Sequence, residues 1–325
     1  MIVALLLGLM VPATTARAED VLALEGKIAL PGVAGRIDHM AADLGRKRLL
    51  VAAFGNGSLE VVDLSGGRRI KQITGLREPQ GVGYAQKPDL VAVASAGDGS
   101  LRFFRGEDLA PAGNLALGSD ADNVRIHPRT GNIIIGYGSG GLAVIDPEKK
   151  SKIADIKLAA HPESFQLDPM TGRVFVNVPD AGHIAVVDLA AARQMSSWTV
   201  PGLRANFPLA INGSGAVLAA VFRHPARLVL LDTGTGAVTQ QLDVCGDADD
   251  VFFDTKRRRI YVSCGAGAVD VLQGEAAGYR LLTRVETSSG ARTSLFVPEL
   301  DRLYVAARAG LLGSDAALLV FRPLP

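Results

Sequence analysis

The sequence is poor in cysteine, in aromatic side chains and in any excess of one charge. Its 325 residues include two cysteines and 5% aromatic residues, and the formal net charge is +1. Because the two charge signs nearly balance, the total charge points to no nucleic-acid, membrane or acidic partner. The cysteines form no C-x-x-C-H motif, which excludes a c-type haem.

Several enzyme motifs are also missing. The chain has no G-x-S-x-G elbow, no P-loop and no dinucleotide fingerprint, and its five histidines form neither H-x-H nor H-E-x-x-H. Ser164 follows His161 and Glu163, but closeness in sequence does not make a catalytic triad. The sequence therefore indicates no nucleophile, and we expect no cofactor. The N-terminal apolar run is too short to span a bilayer, and no later apolar run is long enough to do so.

The N-terminal segment has the pattern of a signal peptide. An apolar run over residues 2–11 precedes Ala16-Arg17-Ala18, which has the small-x-small form of a cleavage site. We expect a signal peptide over residues 1–18, a mature chain from near Glu19 and a periplasmic or secreted protein. No lysine or arginine precedes the apolar run, which does not match a signal peptide, so we expect the true start to lie upstream of Met1. A buried first strand is the alternative interpretation.

The rest of the chain repeats one pattern. With 37 glycines and 48% apolar residues, short apolar runs alternate with Gly-rich turns, which indicates an all-β protein. The residues that end the first strand of each unit are 41 to 44 positions apart and are Asp43, Tyr84, His127, Asp168, Asn212, Asp254 and Val297. Seven units of this length predict a seven-bladed β-propeller over residues 19–325 as one domain. A sandwich with irregular strands is the alternative.

Each unit is predicted to hold four strands. The first unit has them near residues 39–42, 48–54, 59–64 and 70–75, and period-2 alternation is visible in "SLEVVDL" and "HIAVVDL". The last unit ends with "AALLVFRPLP" and lacks a fourth strand. The segment "VLALEGKIAL" at the start of the mature chain would supply it. We therefore expect the N-terminal strand to complete the last blade and close the ring.

These strands resemble a known family. "RRIYVS", "RVFVNV" and "RLYVAA", each followed by a turn and a V-x-V-φ-D strand, look like those of the YVTN-repeat (YncE-like) seven-bladed β-propellers. The subgroup that this chain resembles most has similar segments leading into the first strand of each blade, here "GRIDHMA", "HPESFQ" and "GDADDVF" among others. The resemblance implies the propeller fold and an extracytoplasmic binding protein. One relative is implicated in single-stranded DNA binding.

The loops that lead into the first strands carry the candidate site. Because the first strand of each blade lines the central channel, the seven lead-ins should converge at one mouth, here called the top mouth. Their polar residues converge on a concave place, where ligands usually bind. The candidate ligand-binding residues are Arg36, Asp38, His39, Arg77, Gln80, Asp122, Asn123, His161, Glu163, Asn206, Asp249, Asp250 and Arg292. The same loops carry Asp120, Ser164, Asp247 and Thr293.

Three interpretations of these residues stay open. Arg36, Arg77 and Arg292 come from adjacent blades and could bind a carboxylate or phosphate. They could instead neutralise nearby aspartates in a structural network, and aspartates before strands often only cap turns. A metal is the weakest interpretation, because the ligand-type residues come from separate blades. Its candidate ligands are His39, His161 and Asp249.

The opposite rim is basic. Its loops hold Arg46, Arg48, Arg173, Arg257 and Arg302 among others. Such a rim could contact an anionic polymer, but it lacks interleaved aromatic residues that would stack on bases. Nucleic acid is therefore a weakly supported partner, and soluble turns are the simpler interpretation.

The two cysteines are expected to pair. Cys245 precedes the first strand of the sixth unit and Cys264 ends its second strand. If Asp254 pairs with Arg259, Cys264 lies opposite Asp249, close enough to Cys245 for a disulfide in an exported protein. Two free buried thiols are the alternative.

The function indicated is that of a monomeric, exported binding or scaffold protein. Its partner would be a small polar or anionic molecule at the top mouth, or a protein on a propeller face. The alternative is a propeller enzyme of lactonase or lyase type, metal-dependent or not, that uses acids and histidines at the same mouth. That alternative rests on analogy between folds.

Overall fold

The computed structural model describes residues 21–310 and 314–325. The predicted signal peptide over residues 1–18 and the expected mature start near Glu19 lie outside these described residues. Within them the chain is all-β, with helical structure limited to short 3₁₀ turns. None of the helices there is long and apolar enough to cross a membrane.

Twenty-eight strands make up the described part of the chain. In chain order they are β1 (Leu22–Leu30), β2 (Met40–Asp43), β3 (Arg48–Ala53), β4 (Ser58–Asp63), β5 (Arg68–Thr74), β6 (Pro79–Ala85), β7 (Leu90–Ser95), β8 (Ser100–Arg105), β9 (Pro111–Ala116), β10 (Val124–Ile126), β11 (Ile133–Tyr137), β12 (Gly141–Asp146), β13 (Ser151–Lys157), β14 (Phe165–Leu167), β15 (Arg173–Val178), β16 (His183–Asp188), β17 (Arg193–Trp198), β18 (Arg204–Ile211), β19 (Val217–His224), β20 (Ala226–Asp232), β21 (Val238–Asp243), β22 (Ala248–Asp254), β23 (Arg259–Cys264), β24 (Ala268–Glu275), β25 (Gly278–Glu286), β26 (Ser294–Val297), β27 (Arg302–Ala307) and β28 (Ala316–Pro323).

The strands form seven antiparallel sheets of four, each one a blade. Blades one to six are meanders of consecutive strands, beginning with β2–β5 and ending with β22–β25. The seventh blade has the order β1-β28-β27-β26. The predicted seven-bladed propeller is therefore confirmed.

The ring closes as the sequence predicts. Strand β1 pairs antiparallel with β28, with Leu22 opposite Pro323 and Leu30 opposite Ala316, and the register shifts once between Leu24 and Gly26. The N-terminal strand thus completes the last blade and covers an edge that would otherwise expose unpaired backbone groups.

The middle strands of a blade are buried on both faces. Every residue of β3 is buried, and Leu50 packs in one cluster with Val82 and Val91 of the next blade. Alternate residues of the segment "SLEVVDL" therefore face the two neighbouring blades. Strand β4, which lies in this segment, is buried except at its last residue. Its polar residue Glu60 is fully buried and accepts hydrogen bonds from Arg69 and Gln72, both at 2.9 Å.

The repeated aspartate at the end of the first strand organises the bottom turns. Asp43 accepts a hydrogen bond from Arg48 Nε at 2.9 Å, and Asp168 accepts one from Arg173 Nη2 at 3.1 Å. Arg257 likewise contacts Asp254 at 3.0 Å. Many arginines of the basic rim are thus already paired with a carboxylate, which favours the structural interpretation of that rim.

The sixth blade carries the disulfide. Cys245 and Cys264 are bonded, with 5.8 Å between their Cα atoms, as predicted. Asp254 does lie opposite Arg259, but a bulge between Ala248 and Asp250 places Cys264 opposite Ala248 rather than Asp249. The prediction was one residue out because a bulge adds a residue to one strand alone.

The closure of the ring can be tested by removing residues 21–30. This deletion should cause aggregation and a lower melting temperature, because β28 would lose its partner strand. Ile28, only 6% exposed, and Leu24, 50% exposed, offer a matched pair on the same strand. Ile28→Asp should cost roughly 2–4 kcal/mol of unfolding free energy and Leu24→Asp little. A deletion variant that melts and dissolves like the wild type would contradict this account of closure.

The disulfide closes a loop with a sequence separation of 19 residues. Its reduction should lower the unfolding free energy by roughly 3 kcal/mol, because the unfolded chain gains freedom. Thiol titration of denatured, unreduced protein should find essentially no free thiol. Two reactive thiols per chain would show that the bridge does not form.

Candidate functional site

The lead-in loops surround a cavity of about 180 Å³ at the top mouth. All seven blades contribute to its lining, and the side chains are almost all polar or charged. The lining residues are Arg36, Asp38, His39, Gln80, Asp120, Asp122, Asn123, His161, Glu163, Ser164, Phe207, Arg223, Asp249 and Arg292. Phe207 is the one aromatic residue among them.

Backbone pairing holds the lead-ins in place. The amide of Asp38 donates to Ala52 O at 2.7 Å, that of Asp122 to Gly136 O at 2.9 Å and that of Glu163 to Asn177 O at 2.9 Å. Each acceptor belongs to the second strand of the same blade or directly adjoins it. The lead-ins thus continue the strand pairing, and their side chains are held at the cavity by the rigid sheets.

A glycine lets two blades approach closely beside the cavity. A Cβ atom at Gly81 would lie 2.0 Å from the carbonyl oxygen of Asp122. No side chain fits into that distance, so only glycine allows this contact between the second and third blades.

Arg36 is held from two sides on one wall of the cavity. Its Nε donates to Asp38 Oδ2 at 2.9 Å and its Nη2 to Gln80 Oε1 at 3.0 Å. The guanidinium also lies 4.3 Å from the centre of the Phe54 ring. These contacts fix the group, and 40% of the side chain stays exposed.

Two further arginines, from blades five and seven, share a pair of aspartates at the cavity. Arg223 Nη2 donates to Asp249 Oδ1 at 2.5 Å, and Arg292 Nη1 donates to Asp247 Oδ1 at 2.9 Å. Arg292 Nε also lies 3.1 Å from Asp249 Oδ2. The guanidinium of Arg223 lies 3.8 Å from the centre of the Phe207 ring. The bulge at Asp249 lets its carboxylate meet both arginines.

Histidine and acidic side chains from blades one, three and four lie close together in the lining of the cavity. His161 Nδ1 lies 2.6 Å from Gly138 O, and His161 Nε2 lies 3.8 Å from Asp122 Oδ2. His39 Nε2 lies 3.6 Å from Asp122 Oδ1. Asp122, His161 and Glu163 each offer a ligand atom, and these atoms lie within 4.8 Å of one another. The group thus combines donors of the type that bind metals.

Burial and charge shift the pKa values of this group. Burial raises the pKa of Glu163 to about 7, and the nearby Asp122 carboxylate adds to the effect. Burial lowers the pKa of His161, but contacts with Asp122 and the Gly138 carbonyl outweigh it and raise that pKa to about 9. Burial also opposes ionisation of Asp122, yet His161 and His39 hold its pKa below the usual value.

A second cavity of about 530 Å³ continues down the channel. His39 borders both cavities, and below it the walls are mostly apolar, with Arg125 and Asp250 as the charged residues. Asp250 Oδ2 accepts a hydrogen bond from the amide of Ser294 at 2.7 Å. Its pKa is raised to about 7, first by burial, against the influence of His39.

Three of the candidate residues lie away from the top-mouth cavity. Arg77 is exposed, and its backbone carbonyl accepts a hydrogen bond from the amide of Gly97 in a turn of the same blade. Asn206 is buried and donates to Asn177 Oδ1 at 2.8 Å. Asp250 lines the lower channel. The expected convergence of three lead-in arginines thus does not include Arg77.

Arg223 takes the place that the sequence suggested for Arg77. It stands near the end of β19, in the segment that leads from the second to the third strand of blade five. Those loops open on the same face as the lead-ins, so the strand order could have predicted that Arg223 lies at the top mouth. Phe207 carried none, because an apolar residue at the start of a strand looks like ordinary core.

Comparisons with solved structures agree with this fold. The chain matches a chain of a structure described as "Crystal Structure of Mitotic Checkpoint Complex" with a TM-score of 0.80 at 13% identity, covering 99% of this chain and 98% of that one. It matches a chain of "Kuenenia stuttgartiensis Hydrazine Synthase" with a TM-score of 0.76 at 14% identity, covering 89% and 98%. Likeness at this level of identity shows the fold alone. No family model and no curated protein matches the chain.

Because the pKa of Asp250 is raised in the folded state, this residue should make the free energy of unfolding depend on pH. Because the folded-state pKa of about 7 lies above the ordinary value of 3.8, the unfolded state loses its proton first as the pH rises. The folded state is therefore destabilised between about pH 4 and about pH 7, by up to about 1.4 kcal/mol for each pH unit.

The variant Asp250→Asn removes this titration and can keep the bond to Ser294. Its melting temperature should equal that of the wild type near pH 4 and exceed it above pH 7. The charged neighbours His39, Asp249 and Arg125 remain in both proteins. A difference in melting temperature that stays constant across this pH range would show that Asp250 does not titrate there.

Proposed function

We propose that this chain is an exported propeller that binds a small polar or anionic molecule at the top mouth, as a binding or scaffold protein. The observation that carries the proposal is that every blade contributes a lining residue to one cavity. Polar groups that converge on a concave place from separate elements are what a binding site requires.

The size of the cavity favours a small ligand. Its volume of about 180 Å³ lies below the roughly 300–1,000 Å³ that is usual for drug-sized molecules. A molecule of a few heavy atoms is therefore the expected occupant.

The free donors favour an anion. Arg36 Nη1, Arg223 Nη1 and Arg292 Nη2 donate no hydrogen bond within residues 21–310 and 314–325. The aspartates fix these guanidinium groups in place through their other nitrogens. A carboxylate or phosphate could then accept charge-assisted hydrogen bonds from groups that are already oriented.

Export and family membership belong to the same proposal. The apolar run and the Ala16-Arg17-Ala18 pattern support a signal peptide, and the Cys245–Cys264 disulfide fits an oxidising compartment. The strand motifs and the seven-bladed fold support membership in the YVTN-repeat (YncE-like) propellers.

An enzyme of lactonase or lyase type is the second candidate function. It is favoured by the approach of Asp122, His161 and Glu163, since acids and an imidazole at one point can move protons or hold a metal. A search for turnover of small lactones by purified protein would test it.

The binding function is tested by calorimetric titration with small carboxylates and phosphate. Arg292→Gln should weaken binding roughly 10- to 100-fold, since a hydrogen bond to a charged group contributes about 1.5–3 kcal/mol. Arg77→Gln is the matched control, because Arg77 is an exposed arginine of another lead-in, and it should bind like the wild type.

Thermal melts of both variants show whether the fold is retained. If no carboxylate or phosphate binds the wild type while Arg292→Gln melts far lower, the arginines would be structural. The proposed binding site would then be wrong.

A further inference from the structure

The side chains of Asp122, His161 and Glu163 are spaced closely enough for a common ion. Its three ligand atoms come from the lead-ins of blades three and four and lie within 4.8 Å of one another. In a tetrahedral site with bonds near 2.1 Å, neighbouring ligand atoms lie about 3.4 Å apart. Modest side-chain rotations would therefore bring the three atoms onto one ion.

The orientation of His161 suits a metal ligand. Its Nδ1 lies 2.6 Å from the carbonyl oxygen of Gly138, which fixes the proton on that nitrogen. Metal-bound histidines commonly donate their second nitrogen in this way, and the bond aims the other nitrogen at the ion. Here Nε2 is the nitrogen that faces Asp122.

Two buried oxygens at the same place lack partners. Asp122 is 5% exposed and Asn123 1% exposed, and both line the cavity. Among the described residues, Asp122 Oδ1 and Asn123 Oδ1 accept no hydrogen bond. A buried oxygen without a donor is costly, and a cation bound by the carboxylate of Asp122 would lower that cost for Asp122.

The arginines do not neutralise these acids. Arg36 contacts Asp38, while Arg223 and Arg292 contact Asp247 and Asp249. Within the described ranges, no arginine or lysine nitrogen lies within 4.0 Å of the carboxylate of Asp122 or Glu163. A purely structural ion-pair network would satisfy these carboxylates, and this one does not, since His39 Nε2 at 3.6 Å is too distant for a hydrogen bond.

We infer that Asp122, His161 and Glu163 form a site for a divalent transition-metal ion, with His39 as a neighbour able to join them. One imidazole with two carboxylates suits Zn²⁺, Co²⁺ or Mn²⁺ better than Mg²⁺ or Ca²⁺, which prefer oxygen ligands alone. The inference rests on the proposed function, because the ion would lie in the cavity that receives the ligand.

The proposed ion also limits which class of ligand would bind in the cavity. Three protein ligands leave a coordination position open, as in catalytic metal sites. A small carboxylic acid could place one oxygen on the ion while the guanidinium groups of Arg36, Arg223 and Arg292 face its negative charge. A small carboxylate, rather than a neutral sugar or an amine, is thus the ligand class that fits.

The test uses untagged, chelator-treated protein titrated with Co²⁺ and Zn²⁺. We expect one ion per chain and visible Co²⁺ absorption bands for the wild type. Asp122→Asn and His161→Gln should each weaken binding at least 10-fold. His224→Gln is the matched control, since His224 is an exposed histidine outside the cavity lining, and it should bind the metal like the wild type.

Folding of each variant is checked by thermal melts, with Glu163→Gln as a substitute for any variant that does not fold. Equal metal affinity in the wild type and all site variants would place the ion elsewhere and overturn the inference, and so would the absence of metal binding.

Titration with acetate and formate, with and without Zn²⁺, separates the two proposals. Tighter carboxylate binding in the presence of Zn²⁺ supports both. Carboxylate binding that needs the arginines, in a protein that binds no metal, overturns the metal site and leaves the proposed function standing. If metal binds but no carboxylate or phosphate does, the metal site stands and the proposed binding function fails.

Discussion

The pairing of β1 with β28 is the interaction on which the rest of the structure depends. It joins opposite ends of the chain, from Leu22 opposite Pro323 to Leu30 opposite Ala316. A ring closed in this way has one axis, and the first strands of all seven blades surround it. Each lead-in loop is therefore within reach of the others, so that short side chains such as Asp122 and Asp249 can share one cavity.

The two ends of the ring use charge differently. At the bottom turns, aspartates such as Asp43 and Asp168 bond arginines of the next strand and stabilise the turns. At the top mouth the aspartates orient arginines that keep unused donors, and one oxygen of Asp122 has no hydrogen-bond partner within the described part of the chain. Burial there raises the pKa of Glu163 to about 7. The same residue types thus stabilise one end and leave unused donors and acceptors at the other.

The fold was largely predictable because a propeller repeats its pattern. The spacing of the repeats predicted where each blade lies. The strand missing from the last unit predicted how the ring closes, and the cysteine pair predicted the disulfide. The site was harder, because side-chain direction depends on local departures from the repeat. The bulge that brings Asp249 to Arg223 and Arg292 adds one residue to β22, which no pattern marked. Arg77 and Asn206 had suitable types and positions, but Arg77 is exposed outside the cavity and Asn206 is held in a buried amide pair with Asn177.

The central claim is that an anion enters the top mouth, and diffraction from crystals soaked in selenate tests it most directly. Selenate is a small oxyanion whose anomalous signal gives its position without assumptions about the ligand. The account predicts a selenium peak inside the cavity bordered by Arg36, Arg223 and Arg292. Selenium peaks only on the outer surface, with none inside the cavity at a concentration that saturates the surface sites, would contradict it.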